Sequence, residues 1–176
     1  MALFDADFLG ILLHPNPRAP LDPTTKKPIP RLKERLEHLV STLEKVREKI
    51  LIPTPALSEV LAIAADKASD YLAELTNNTC FEVAPFDQVA AVEAAVAAYE
   101  AKQRGGKKAG STSTWAKIKF DRQIIAIAKV RGVNAIYSND EDIRKAAARE
   151  NIKVVSVWDL PDPPPKQTKM FDEGEK

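Results

Sequence analysis

The sequence predicts an α/β protein with three layers, α/β/α, around a mostly parallel central sheet of about five strands. Three observations lead there. Short apolar runs of strand length alternate with longer segments of helical period along the chain. Helix-breaking residues, such as Asn77-Asn78 and Gly132, stand where one segment hands over to the next. The 176 residues suit one domain with a core large enough to need no disulfide support.

Ala2 to Phe4 is the opening strand, and Phe8 to Leu13 continues as a helix. The proline-rich stretch Pro15 to Pro30 cannot sustain a helix and is expected to cross the surface as an extended loop. Leu32, Leu36, Leu39, Val40, Leu43 and Val46 then recur at spacings of three and four, which makes an amphipathic helix with a charged outer face. Its apolar side reads as ordinary core before it reads as a docking or dimer surface. Ile50 to Ile52 is a second strand. Thr54-Pro55 reads as a helix start, with Thr54 as N-cap and proline at the first helical position. Helical patterning runs on to about Leu75. Cys80 to Val83 supplies a third strand and the alanine-rich Val89 to Ala101 a helix. Arg104 to Thr114 is a basic loop holding three of the six glycines. Trp115 to Arg131 is a patterned helix closed by Gly132. Asn134 to Tyr137, Glu141 to Glu150 and Ile152 to Val157 complete the series as strand, helix and strand. The domain therefore spans 1–160, and 161–176 is a proline-rich, charged tail.

Composition narrows the chemistry. The single cysteine, Cys80, excludes an internal disulfide framework and reads as a small buried apolar residue, in keeping with a reducing compartment. Met1 to Leu13 lacks a basic start and is interrupted by Asp5 and Asp7, and nothing approaches the roughly 18 uninterrupted apolar residues of a membrane span. A cytoplasmic location with no membrane contact is the expectation. A net charge of +1 means that a nucleic-acid partner would require positive and negative charge to be separated in space.

In open parallel sheets, ligands bind beyond the carboxyl ends of the strands. Asp5 directly follows the first strand. Glu59 lies early in the helix after the second, and Asp140 follows the fourth after Ser138 and Asn139. Asp121 starts from the same edge, because its helix must run antiparallel to the strand it precedes. Three residues after Ile118 and four before Ile125, it falls on the apolar face, and Glu59 is set similarly between Ala56 and Ile63. A single such acid is ordinarily a salt-bridge partner at the rim of the core. Four at one sheet edge repel one another unless a cation joins them. All-oxygen donors suit Mg²⁺ or Mn²⁺, and neither histidine is near enough in sequence to suggest zinc.

The same residues carry a family resemblance. Leu3-Phe4-Asp5-Ala6-Asp7, Pro53-Thr54-Pro55-Ala56-Leu57-Ser58-Glu59, Phe120-Asp121-Arg122-Gln123-Ile124 and Ile136-Tyr137-Ser138-Asn139-Asp140 resemble, in that order, the four acidic motifs of the PIN-domain nucleases. That group includes the VapC-like toxin ribonucleases, and the resemblance covers residues 1 to 160. It implies a metal-dependent endoribonuclease that cleaves single-stranded or structured RNA with a metal-activated water. Asp5, Asp121 and Asp140 would be ligands, with Glu59 completing the site directly or through water. Ser138 would orient Asp140 or a metal-bound water, and Asp7 and Asp142 offer further carboxylates, Asp142 for a second ion. By analogy with the family, an antitoxin protein is the expected partner and a homodimer the expected assembly.

Positive charge for RNA is available at Lys102, Arg104, Lys107 and Lys108 in and before the glycine-rich loop, and at Lys117, Lys119 and Arg122 on the next helix. Ordinary solvated lysines are the plain alternative. Trp115 can stack a base, although a large apolar residue on a helix belongs more often to the core. Two other readings compete. A non-catalytic PIN-like binding module would account for the fold but not for four filled acidic positions. A haloacid-dehalogenase-type phosphatase would use Asp5 as nucleophile and Asp7 as acid, yet Ser138-Asn139-Asp140 lacks the glycine of that family's acidic motif.

Overall fold

The five strands are short, and the inner ones are almost wholly apolar, as strands covered on both faces must be. They are β1 (Ala2–Phe4), β2 (Ile50–Pro53), β3 (Phe81–Ala84), β4 (Ala135–Tyr137) and β5 (Lys153–Val155). The computed structural model describes residues 1–104 and 112–164. Every strand pairing is parallel and the order is β3-β2-β1-β4-β5, so β1 is central. All residues of β1 and β2 are buried, whereas the edge strands β3 and β5 expose part of theirs. This is the parallel five-stranded sheet that the sequence predicts.

Seven helices among the described residues surround it: α1 (Ala6–Leu13), α2 (Leu32–Lys45), α3 (Thr54–Ala64), α4 (Ala68–Asn77), α5 (Gln88–Gln103), α6 (Trp115–Val130) and α7 (Glu141–Arg149). α1 packs on α2 and α3, α5 lies along α6, and α6 also meets α3 and α7. Leu32, Leu36, Val40 and Leu43 of α2 are buried and Leu39 partly so, which makes the stripe core, but Val46, expected on it, caps the helix at 65% exposure. α5 differs. Ala90 and Ala101 are buried, but Val89, Val92, Val96 and Tyr99 form a second apolar stripe open to solvent. None of the described helices is long and apolar enough to cross a membrane.

Several boundaries move for local reasons. Thr54 is the first residue of α3 rather than its cap; Pro53 is the N-cap, and the Thr54 hydroxyl instead accepts the Phe86 N–H at 3.0 Å, tying the end of β2 to the loop after β3. β3 begins at Phe81 because the Cys80 N–H is taken by the Asn78 side chain at 2.8 Å. β5 stops at Val155, where Ser156 and Asp159 form a reciprocal capping box around the 3-10 turn Val157–Asp159. Trp115 is not a core residue: it is 39% exposed, with the Lys119 Nζ and Arg122 Cζ at 5.6 Å and 5.3 Å from its ring centre.

The proline-rich loop carries one small hairpin-like bridge, Leu21 to Pro28, whose turn is held by Asp22 accepting the Thr24 and Thr25 N–H groups. Ile29 then drops into the core. Beyond the 3-10 turn, the chain returns to the start of α2. The Arg35 guanidinium bonds the Leu160 carbonyl and the Asp162 carboxylate, and the Arg31 guanidinium donates to the Pro163 carbonyl at 3.1 Å. Residues 165–176 of the expected tail lie outside the described residues.

Leu3 lies at 0% exposure in the central strand. Leu3→Ala is expected to cost about 2 to 5 kcal/mol in urea unfolding, as large-to-small changes in a packed core do. Val92→Ala, on the solvent side of α5, should stay within about 0.5 kcal/mol of the parent.

Candidate active site

The register of β1, β4 and β5 decides the site. Phe4 pairs with Tyr137 and Tyr137 with Val155, so the next residues along each strand are Asp5, Ser138 and Ser156, side by side. Backbone bonds extend the ladder past the strand ends: the Asp5 N–H donates to the Tyr137 carbonyl at 3.2 Å and the Ser138 N–H to the Val155 carbonyl at 3.0 Å. Among the described residues, the buried polar or charged side chains are these three. Burying polar groups together requires that they satisfy one another. Ser156 Oγ donates to the Ser138 carbonyl at 2.9 Å, and Ser138 Oγ accepts the Asp140 N–H at 3.0 Å while hydrogen-bonding the Asp5 carboxyl. Ser138 therefore links the two acids that flank it. Ser156 was not singled out by the sequence, which places it inside the fifth strand, and it reaches the sheet edge only because β5 stops at Val155.

The acids arrive by two routes. Asp5 and Asp140 are N-caps, each following a strand: Asp5 Oδ1 accepts the Phe8 N–H at 3.0 Å, and Asp140 Oδ1 accepts the Asp142 and Ile143 N–H groups at 2.7 and 3.4 Å. Asp140 thus commits Oδ1 to α7 and turns Oδ2 to the cleft. Asp121 and Glu59 project from α6 and α3. The result is a cleft of about 510 Å³ lined by Asp5, Asp7, Glu59, Asp121 and Asp140, with Ala62, Phe120, Ile124 and Ile143 among its apolar walls. The four acids expected at one sheet edge do share one space, with Asp7 at its mouth.

Not every expectation about facing holds. Glu59 is exposed at the cleft rim, and Ile63 one turn on is 78% exposed, so this side of α3 is not an apolar face. Asp142 does not line the cleft; its carboxylate accepts from Ser113 Oγ. Lys117 points inward rather than along an outer rim. Its Nζ donates to Asp121 Oδ2 at 3.0 Å and also to Asp140 Oδ2. Arg122 lies over Trp115, outside the cleft lining. Lys107 and Lys108 fall outside the described residues.

The electrostatics follow from the crowding. Burial first, and then the Asp7 carboxylate, push the Asp5 pKa from its ordinary 3.8 up to about 8, against the hydrogen bonds from Ser138 and Phe8. Loss of hydration in the cleft and the neighbouring Asp140 raise Asp7, and burial raises Asp121 despite its Lys117 partner. Desolvation works against the charged form of Lys117, yet its bonds to Asp140 and Asp121 hold it up at about 12. Negative charge is therefore in excess in the cleft. Five carboxylates without sulfur or imidazole make a donor set for a hard divalent cation. Among the described residues no three acids, cysteines or histidines are drawn into a ready coordination shell; Lys117 spans two of the carboxylates instead.

The fold and this acidic edge define a family, and comparison with known proteins agrees. The PIN domain model matches residues 29–149, which takes in Glu59, Asp121 and Asp140 but begins after Asp5. The chain belongs to the PIN-domain family. Among solved structures it resembles VapBC2 from Rickettsia felis bound to a promoter DNA fragment, with TM-score 0.60 and 11% identity over 88% of this chain and 97% of that one. It also resembles DNA-bound VapBC from Salmonella typhimurium, with TM-score 0.53 and 16% identity over 89% and 97%. A third is Mycobacterium tuberculosis VapC20, described as a sarcin-ricin loop cleaving toxin, with TM-score 0.52 and 13% identity over 83% and 95%. No curated protein matches the chain.

The raised Asp5 pKa gives a sign to pH dependence. Between about pH 4 and 8 the folded metal-free protein keeps a proton on Asp5 that the unfolded chain has lost, so stability falls as pH rises through that window. Asp7 and Asp121 add in the same direction. In EDTA, the Tm should drop from pH 4 to 8. Asp5→Asn, which retains the helix cap, should flatten the slope and raise the Tm at pH 8. A Tm that climbs steadily to pH 8 in the parent would contradict the buried-acid account.

Proposed function

We propose that the protein is a divalent-metal-dependent endoribonuclease and the toxin of a toxin–antitoxin pair. The observation that carries this reading is the convergence of Asp5, Glu59, Asp121 and Asp140, from four separate elements, on one cleft at the carboxyl edge of a parallel sheet. Membership of the PIN-domain family supports it, and the VapBC and VapC proteins of similar fold supply the analogy for an antitoxin partner and an RNA substrate.

Asp5, Asp121 and Asp140 hold Mg²⁺ or Mn²⁺ in this reading, with Glu59 at the rim acting directly or through water. An ion held there would lower the pKa of a water and offset the phosphate charge that otherwise repels an attacking hydroxide. The chain's own groups do the rest. Ser138, held by the Asp140 N–H and bonded to Asp5, fixes both acids relative to each other. Asp140 keeps its orientation because Oδ1 is committed to the start of α7. Ala62, Ile124 and Ile143 reduce water in the cleft. Phe120, 43% exposed beside Asp121 in the cleft lining, offers a ring on which a base can stack.

The test is cleavage of a mixed single-stranded RNA pool by the purified full chain, with Mg²⁺ or Mn²⁺ and with EDTA. Cutting should require metal. Asp121→Asn should lower the rate by more than about 100-fold, beyond the 10- to 100-fold typical of groups that only orient a ligand, and Ser138→Ala should fall within that smaller range. Absence of cutting by folded protein free of inhibitor would move the reading to a PIN-like binding module. Full activity in Asp121→Asn would remove the acid site from the chemistry.

A further inference from the structure

We propose that Lys117 is an internal competitor of the metal ion: its ammonium occupies the Asp121–Asp140 carboxylate pair in the metal-free protein, and a divalent cation must displace it. This rests on the metal-binding reading above. The geometry leaves the ion little alternative. Asp140 Oδ1 is already committed to the N–H groups of Asp142 and Ile143, so Oδ2 is the oxygen turned to the cleft, and Lys117 Nζ holds it. The same nitrogen takes Asp121 Oδ2 at 3.0 Å. An ion that reached Asp140 through Oδ1 would uncap α7.

Displacement is nonetheless open to it. The Lys117 side chain is 40% exposed and sits four residues before Asp121, in the first turns of α6 at the cleft wall. A flexible four-carbon stem can swing the ammonium to solvent or to an anionic strand lying across the mouth, where it stays useful. Lys117 therefore keeps two facing carboxylates compatible before metal arrives, weakens metal binding in return, and offers its charge to phosphate once released. It is a positioning residue, not a ligand. Two effects of opposite sign follow, which a merely structural lysine would not produce: removing the charge destabilises the metal-free protein and tightens the metal complex.

The experiment is calorimetric titration of the EDTA-stripped full chain with Mn²⁺, comparing the parent with Lys117→Met, Lys117→Gln and Lys117→Arg, alongside the Tm of each without metal. The Met and Gln variants should bind Mn²⁺ roughly tenfold more tightly, a change equivalent to about 1.4 kcal/mol and within reach of two partly exposed ion pairs. Their metal-free Tm should fall and recover further on adding Mn²⁺. Arg, which retains the charge, should stay near the parent. Unchanged or weaker Mn²⁺ binding in the neutral variants, with the parent binding normally, overturns the competition alone. No Mn²⁺ binding by the parent or any variant overturns the metal-binding reading and the competition together.

Discussion

Everything at the acidic edge depends on the parallel pairing of β1 with β4. That register sets Phe4 against Tyr137 and so delivers Asp5 and Ser138 to neighbouring positions one step past the strands. Because β1 is central, it cannot slip without carrying β2 and β4 with it. A slip of one residue would also send each side chain to the opposite face of the sheet. The Asp5–Ser138 part of the site is thus fixed by backbone ladder geometry before any side chain chooses a rotamer. The two N-cap acids inherit that precision, since each is clamped between a strand end and the first turn of its helix.

The arrangement carries an electrostatic cost that the fold tolerates. Asp5 is buried among like charges, and its affinity for protons rises accordingly. In a protein selected for stability alone such a position would be apolar. Local conflict of this kind, in a sequence otherwise consistent with its fold, marks where function and stability pull apart.

Much of this was legible in the sequence. Strand and helix alternation gave the layer architecture, and residues just beyond each apolar run gave Asp5 and Asp140. The patterning of α6 correctly brought Asp121 inward, because Ile118, Ile124 and Ile125 really are buried. Glu59 was reached by the same logic with a weaker result: α3 runs out past the core, so Ile63 keeps its apolar character without apolar neighbours. Lys117 was misread for a different reason. Its four-residue spacing to Asp121 is visible along the chain, but its bond to Asp140 exists only once α6 lies beside the end of β4. Trp115 at the surface was likewise undecidable from spacing, since an exposed helix start and a buried one share the same period.

The arginine contacts at the start of α2 have a mechanical meaning. Arg31 and Arg35 grip the backbone at Leu160 and Pro163, on the far side of the 3-10 turn that follows β5. β5 is an edge strand with one neighbour and three paired residues, the least anchored part of the sheet. Tension reaching residue 163 from the carboxyl side meets the grip on α2 before it meets β5, and is passed to a helix that seats Leu32, Leu36, Val40 and Leu43 in the core. Among the described residues, the edge strand is thus backed by a helix seated in the core, and two guanidinium groups hold the main chain that leaves it.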